Sequence, residues 1–261
     1  MDADAVGLVV RVDDAGLSEG VNHAVVEALG GPAARSVSFM VPGPAAAHAA
    51  RLIAPLTGVV CGLHVTLTSE WERPRWRPLL PARAVPSLVD ADGCLPRTAD
   101  ELHGRGGVDP REARAEIEAQ LDRARGWGLE IRYLDEHMGV GWVSGAGDAI
   151  RAVAAAHQLF DADRAVPALD GPPGPVPEGG RPGAWVADAV RRSAPGPRVL
   201  ITHPGRDDAV LRALRGTGFP EGGVALARDA DRRMLADRAL WADVRAAGAE
   251  LTDYAALAAT P

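Results

Sequence analysis

Residues 6–20, VGLVVRVDDAGLSEG, constrain the fold more than any other stretch. Val6, Leu8, Val9, Val10 and Val12 make a short, β-branched run, the pattern of a strand buried on both faces of a parallel sheet. The run gives way to Asp13 and Asp14, then to Gly16, Ser18 and a helical pattern at Val21, Val25, Val26 and Leu29. Both acids therefore fall where a strand passes into a helix, the edge at which parallel α/β folds build their active sites. Adjacent carboxylates repel, and a cation or a shared proton relieves them. A helix cap beside a solvated acid explains an isolated Asp-Asp equally well, but it leaves the histidines described next unexplained.

The rest of the chain alternates in the same way. Strand patterns stand near residues 6, 36, 59, 131, 199 and 250, with helical patterns over 18–29, 45–56, 110–126, 146–157, 209–214, 227–247 and 254–258. Such alternation predicts an α/β fold with a mostly parallel sheet. The 261 residues suit a single-domain (β/α) barrel, with an open sheet wound on both faces as the alternative. No G-x-G-x-x-G follows the first strand, so the dinucleotide fingerprint is missing. A long insertion at about 69–108 holds Trp71, Trp76, Arg73, Arg75 and Arg77 and is expected to cover a site, with tryptophans that merely pin the loop to the barrel and solvated arginines as the alternative. A second Pro/Gly-dense loop is expected over 166–183.

The net charge of −7 gives no reason to expect nucleic acid or an anionic membrane as partner. Cys61 and Cys94 lack metal-ligand spacing and are expected to be reduced thiols. With no leader-like opening and no membrane-length apolar run, the expectation is a cytoplasmic protein.

Four polar clusters share one address, the C-terminal end of a predicted strand: Asp13/Asp14, His64, Asp135/His137 and His203. Singly, each histidine could be a core or turn residue. Converging on one barrel mouth, they form an oxygen/nitrogen donor set for a divalent metal, with a position left open for water. The residues alone leave open which aspartate binds metal and which acts as base.

The motifs carrying these residues resemble those of the YdjC-like carbohydrate deacetylases, the group that includes chitooligosaccharide deacetylases. They stand here as VDDAGLSEGVN at 12–22, GLHVTL at 62–67, LDEHMG at 134–139 and THPG at 202–205, with DADGCLPRTADEL at 90–102 also similar. The resemblance implies a distorted (β/α) TIM-like barrel and an N-deacetylase acting on an N-acetylated sugar, a short oligosaccharide or a sugar-bearing metabolite. It implies one divalent ion (Zn, Mg, Mn and Co are not distinguished) held by Asp14, His64 and His137, with Asp13 as general base and His203 as general acid. Trp71, Trp76, Arg75, Asn22 and Asp135 are the expected substrate contacts, with completion of the lid by a second copy in a homodimer held open. The pattern departs from the family at Arg11, where Asn is frequent, at Ala15, where Phe is usual, and at Gly139 and Gly141, where many members carry His. These departures bear on the substrate rather than on the metal. A metal amidohydrolase acting on a non-sugar amide and a non-catalytic binding barrel are the competing readings.

Overall fold

The buried run at the start of the chain forms strand β1 (Val6–Ala15), every residue of which is buried. A computed structural model describes residues 5–171, 181–216 and 218–259. After β1 come α1 (Glu19–Leu29), β2 (Ser36–Phe39), α2 (Ala46–Ile53), β3 (Val60–Val65), α3 (Ala99–Gly104), α4 (Pro110–Gly126) and β4 (Ile131–Glu136). Then follow α5 (Ala146–Ala156), β5 (Phe160–Asp161), α6 (Ala162–Ala165), α7 (Val186–Arg192), β6 (Gly196–Thr202), α8 (Ala209–Ala213), α9 (Gly223–Ala236), α10 (Arg238–Ala246), β7 (Ala249–Thr252) and α11 (Tyr254–Ala258).

The strands form one seven-stranded sheet of order β5-β4-β3-β2-β1-β6, with β7 also on β1, and every ladder is parallel. β6 follows β1 from Val6 to Val12, while the other edge of β1 is shared by β7 over Val6–Val9 and β2 beyond Arg11. The sheet curls into a half-barrel. Val9, Tyr133, Val166, Val199 and Tyr254, from distant parts of the strand order, meet in one buried cluster inside the curl. An isolated parallel bridge between Ala168 and Val199 brings the chain after β5 back to β6. The expected distorted barrel is thus a curled, all-parallel sheet, short of a full ring of ladders.

Three local expectations are corrected. β1 runs through the acid pair to Ala15, because a register shift between Val12 and Ala15 absorbs Asp13 and Asp14 as a bulge. The helix expected over 227–247 is two helices, because the Asp237 carboxylate accepts from Ala239 N and Leu240 N and starts α10 afresh. The two-residue β5 carries too little pattern to be seen in the sequence. Of the Pro/Gly loop at 166–183, residues 172–180 lie outside the described residues.

The insertion between β3 and α4 is folded back and fastened. Trp76 Nε1 donates to Thr68 O at 2.7 Å, and Arg75 Nη2 donates to Asp90 Oδ2 at 2.7 Å and Leu95 O at 2.6 Å. From α4, the buried Glu116 accepts from Leu79 N and Leu80 N at 2.8 and 3.0 Å, and Glu112 accepts from Ser87 N at 2.8 Å. Cys61 and Cys94 are buried free thiols, and burial beside Glu130 pushes Cys61 up to about 11. Among the described residues no helix is long and apolar enough to cross a membrane.

Gly62, two residues before His64, sits against the Tyr133 ring: a Cβ there would lie 2.1 Å from Tyr133 Cε2. The ring is fully buried and its hydroxyl bonds Ser38 Oγ at 2.9 Å, so it has nowhere to retreat. Gly62→Ala is expected to destabilise by about 1–3 kcal/mol through overpacking, measured by urea unfolding.

Candidate active site

In a regular strand, consecutive side chains face opposite ways. Asp13 and Asp14 nevertheless line one cavity of about 460 Å³. The bulge makes this possible, with Asp14 at φ +65°, the left-handed region that Asp tolerates better than most residues. The chain then turns at Gly16, φ +117°, where a Cβ would lie 2.5 Å from Met40 O. Asn22 braces this turn: its Oδ1 accepts from Gly16 N at 2.8 Å and its Nδ2 donates to Ala45 O at 3.0 Å. Ser18 caps α1 through Val21 N. The D-D-A-G-L-S-E-G-V-N motif is therefore a device for presenting two carboxylates from one strand end.

β3 and β4 bring in the histidines. His64 Nε2 lies 3.5 Å and His137 Nδ1 3.4 Å from Asp14 Oδ1, and the two ring nitrogens are 3.2 Å apart. A tetrahedral ion with bonds of about 2.1 Å has its ligand atoms about 3.4 Å apart, which is the size of this triangle. The remaining ring nitrogens are oriented by carboxylates: His64 Nδ1 is 2.8 Å from Asp135 Oδ2, and His137 Nε2 is 2.9 Å from Glu70 Oε2. In the neutral rings, with those protons donated outward, both lone pairs would face Asp14 Oδ1, itself buried and without a hydrogen-bond partner. Three inward-facing acceptors and no donor fit a divalent cation. A second cluster, Asp13, His64 and Asp135, also has potential ligand atoms within reach of one another, but both Asp13 oxygens, Asp135 Oδ2 and His64 Nδ1 are engaged, although the buried Asp135 Oδ1 has no hydrogen-bond partner. Arg11 Nε and Nη2 hold both oxygens of Asp13 at 2.8 and 2.9 Å, and Arg11 Nη1 lies 3.2 Å from the Asp135 oxygen that faces His64.

The electrostatics follow from burial set against partners. Burial alone would raise Asp14, but Arg228 and the two histidines outweigh it and hold the carboxylate well below its ordinary range. For Asp13, Arg11 outweighs burial in the same way. Burial opposes protonation of His64, yet Asp135, Asp13 and Asp14 raise it well above its usual value. His137 is raised to about 9, with Glu70 and Asp14 outweighing burial. Asp231, on α9, goes up because burial dominates the pull of the His203 backbone N–H, which it accepts at 2.8 Å.

Of the residues expected to act, Asp13, Asp14, His64, His137 and His203 all line the one cavity, as does Trp71, which packs against Phe219 with ring centroids 6.5 Å apart. Trp76, Arg75 and Asn22 do not line it; they are occupied in holding the insertion and the Gly16 turn. Asp135 stands behind His64. At Gly139, φ +59°, which lines the cavity, the wall stays open, whereas Gly141 does not line it and the place of its missing Cβ is filled by the Glu136 carboxylate. Sequence reasoning missed Glu70, Arg228 and Asp231. Glu70 hides in the insertion six residues after His64. Arg228 and Asp231 sit at helical spacing with Val224 and Ala227, and all four line the cavity, but in an Arg- and Asp-rich helix they read as a solvated face.

His64→Ala and His137→Ala are expected to lose metal binding, and Asp135→Asn to weaken it by about 10–100-fold, by equilibrium dialysis. Glu70 and Asp14 raise His137 to about 9 against the effect of burial, so metal binding near pH 7 is expected to release a proton, and affinity should climb as pH rises toward that value. Calorimetry in two buffers of different ionisation heat reads this release; equal heats would contradict it.

The profile of the YdjC-like protein family matches residues 7–171. A carbohydrate deacetylase of Geobacillus stearothermophilus is 37% identical over 131 residues, 49% of this chain and 48% of the relative. A chitooligosaccharide deacetylase of Yersinia pestis (strain Pestoides F) is 32% identical over 131 residues, 50% of this chain and 48% of the relative. The chain spans about half the length of the curated relatives it matches. A crystal structure from Enterococcus faecalis V583, provisionally named a cellobiose-phosphate cleavage protein, has a TM-score of 0.78 at 21% identity, covering 97% of this chain and 99% of that one, and shows the same fold. With the profile matched over more than half of the chain's length, across the segment that carries both aspartates, His64 and His137, the chain belongs to the YdjC-like family.

Proposed function

We propose that the chain is a metal-dependent N-deacetylase that hydrolyses the acetamido group of an N-acetylated sugar, a short oligosaccharide or a sugar-bearing metabolite. The observation that carries this reading is the triangle of Asp14 Oδ1, His64 Nε2 and His137 Nδ1, set in a cavity that Asp13 and His203 also line. The names of the Geobacillus and Yersinia relatives support the same reaction and substrate class.

A divalent ion held by Asp14, His64 and His137 would polarise the amide carbonyl and acidify a water. Asp13, kept ionised and fixed in direction by the two-point grip of Arg11, takes the proton of the attacking water. His203, whose backbone is anchored on Asp231, gives a proton to the departing amine, which is otherwise a very poor leaving group. Trp71, buried with its indole N–H lacking a protein acceptor, lines the cavity, and its flat apolar face suits a sugar ring.

Acetate release measured over N-acetylglucosamine, chitobiose and acetylated amino-sugar metabolites tests the reading directly; no release from any of them with the metal loaded would overturn it. Asp13→Asn is expected to keep its metal and lose turnover by about 10²–10⁴-fold. His203→Ala should also keep metal, with a smaller defect on substrates carrying better leaving groups. The two tryptophans should separate: Trp71→Ala raises KM in a folded protein, whereas Trp76→Ala costs about 3–5 kcal/mol of stability with KM little changed in the fraction that folds.

A further inference from the structure

The two oxygens of Asp14 are divided between different tasks. Oδ1 faces His64 and His137 and has no hydrogen bond. Oδ2 accepts from Arg228 Nη2 at 2.5 Å. Arg228 is over nine-tenths buried and comes from α9, outside the residues matched by the family profile. Its only ion pair among the described residues is with Asp14, and its Nη1 has no protein acceptor. A guanidinium buried for general charge balance would be shared among acids, as Arg11 is shared by Asp13, Asp135 and Asp163. This one is committed to a single oxygen.

The end of β6 is shaped to deliver it. Gly205 of the H-P-G motif lies between Leu211 and the arginine stem: a Cβ there would stand 2.6 Å from Leu211 Cδ1, 3.0 Å from Arg228 Cβ and 3.3 Å from Cδ. Gly205 N donates to Arg228 O at 3.0 Å, and His203 N donates to Asp231 Oδ2, one turn further along α9, at 2.8 Å. The motif that supplies His203 is thus also the seat on which α9 rests.

We infer that Arg228 is a positioning residue that restricts Asp14 to one oxygen toward the metal, keeping a coordination position free for water and substrate. A carboxylate can ligate through one oxygen or two, and a second Asp14 oxygen on the ion would fill the place the reaction needs. The guanidinium holds that second oxygen away by a charge-assisted hydrogen bond. The inference rests on the metal-dependent reading above.

The test is the visible spectrum of the cobalt(II)-loaded full chain, whose intensity falls as coordination number rises. Arg228→Gln removes the charge and the two-nitrogen fork, and is expected to bind one equivalent of cobalt with clear loss of visible intensity. Arg228→Lys keeps the charge and a donor, and should restore part of it. Gly205→Ala, which presses on Leu211 and on the arginine stem without touching Asp14, should shift the spectrum in the same direction, with Leu211→Ala as the control that leaves Arg228 in place and keeps the wild-type spectrum, and it serves in place of Arg228→Gln if that variant does not fold. Wild-type spectra in the folded variants at full cobalt occupancy would overturn the role of Arg228 while leaving the metal-dependent reading intact. Failure of the wild-type chain to bind cobalt, zinc or manganese would overturn that reading and the inference with it.

Discussion

The arrangement depends on one buried cation. Arg11 stands inside the curl of the sheet and holds carboxylates from three elements: Asp13 on β1, Asp135 on β4 and Asp163 on α6. Ionic groups taken out of water are costly unless closely paired and hydrogen-bonded, so neither Asp13 nor Asp135 could be buried there without it, while Asp163 meets it from the exposed side. The contact is also directional. By gripping both oxygens of Asp13 it fixes the first member of the acid pair, and by touching Asp135 it reaches the carboxylate that orients His64. The tautomer of a candidate ligand histidine and the ionisation of the candidate base are both reached through one side chain.

A charge count then explains why the centre suits a cation. Asp13, Asp14, Asp135, Asp163 and Glu70 are linked through two guanidiniums, Arg11 and Arg228, and two imidazoles. Two fixed positive charges do not balance five carboxylates. Without metal, the histidines make up part of the difference by holding protons, which is why both are raised. A divalent ion can supply the same charge at the point where Asp14 Oδ1 has no other partner.

Much of this was legible in the sequence because it rests on period and spacing. The buried run at β1, the alternation of strands with capped helices, and the polar residues at successive strand ends all follow from side-chain periodicity, and they place Asp13, Asp14, His64, His137 and His203 on one cavity. What stayed hidden depends on geometry that periodicity does not encode. The bulge that turns Asp13 and Asp14 to the same side is one backbone residue at positive φ. Arg228 and Asp231 reach the centre because α9 docks on Gly205, which nothing in their own helix announces. Asn22, Arg75 and Trp76 were read for their chemistry, yet each spends its polar atoms on a backbone turn or on the insertion.

The way the insertion is tied down has an evolutionary consequence. Glu116 and Glu112 of α4 hold it largely by its own backbone, through the N–H groups of Leu79, Leu80 and Ser87. Any residue other than proline presents the same N–H, so these anchors are indifferent to the side chains they secure. Residues of this segment other than Arg75 and Trp76, whose side chains also fasten it, can therefore be exchanged without unfastening it, including those near Glu70 and Trp71 that face the cavity. The half-barrel can stay fixed around its buried charges while the surface that meets the ligand drifts, which lets one fold keep its reaction and change its clientele.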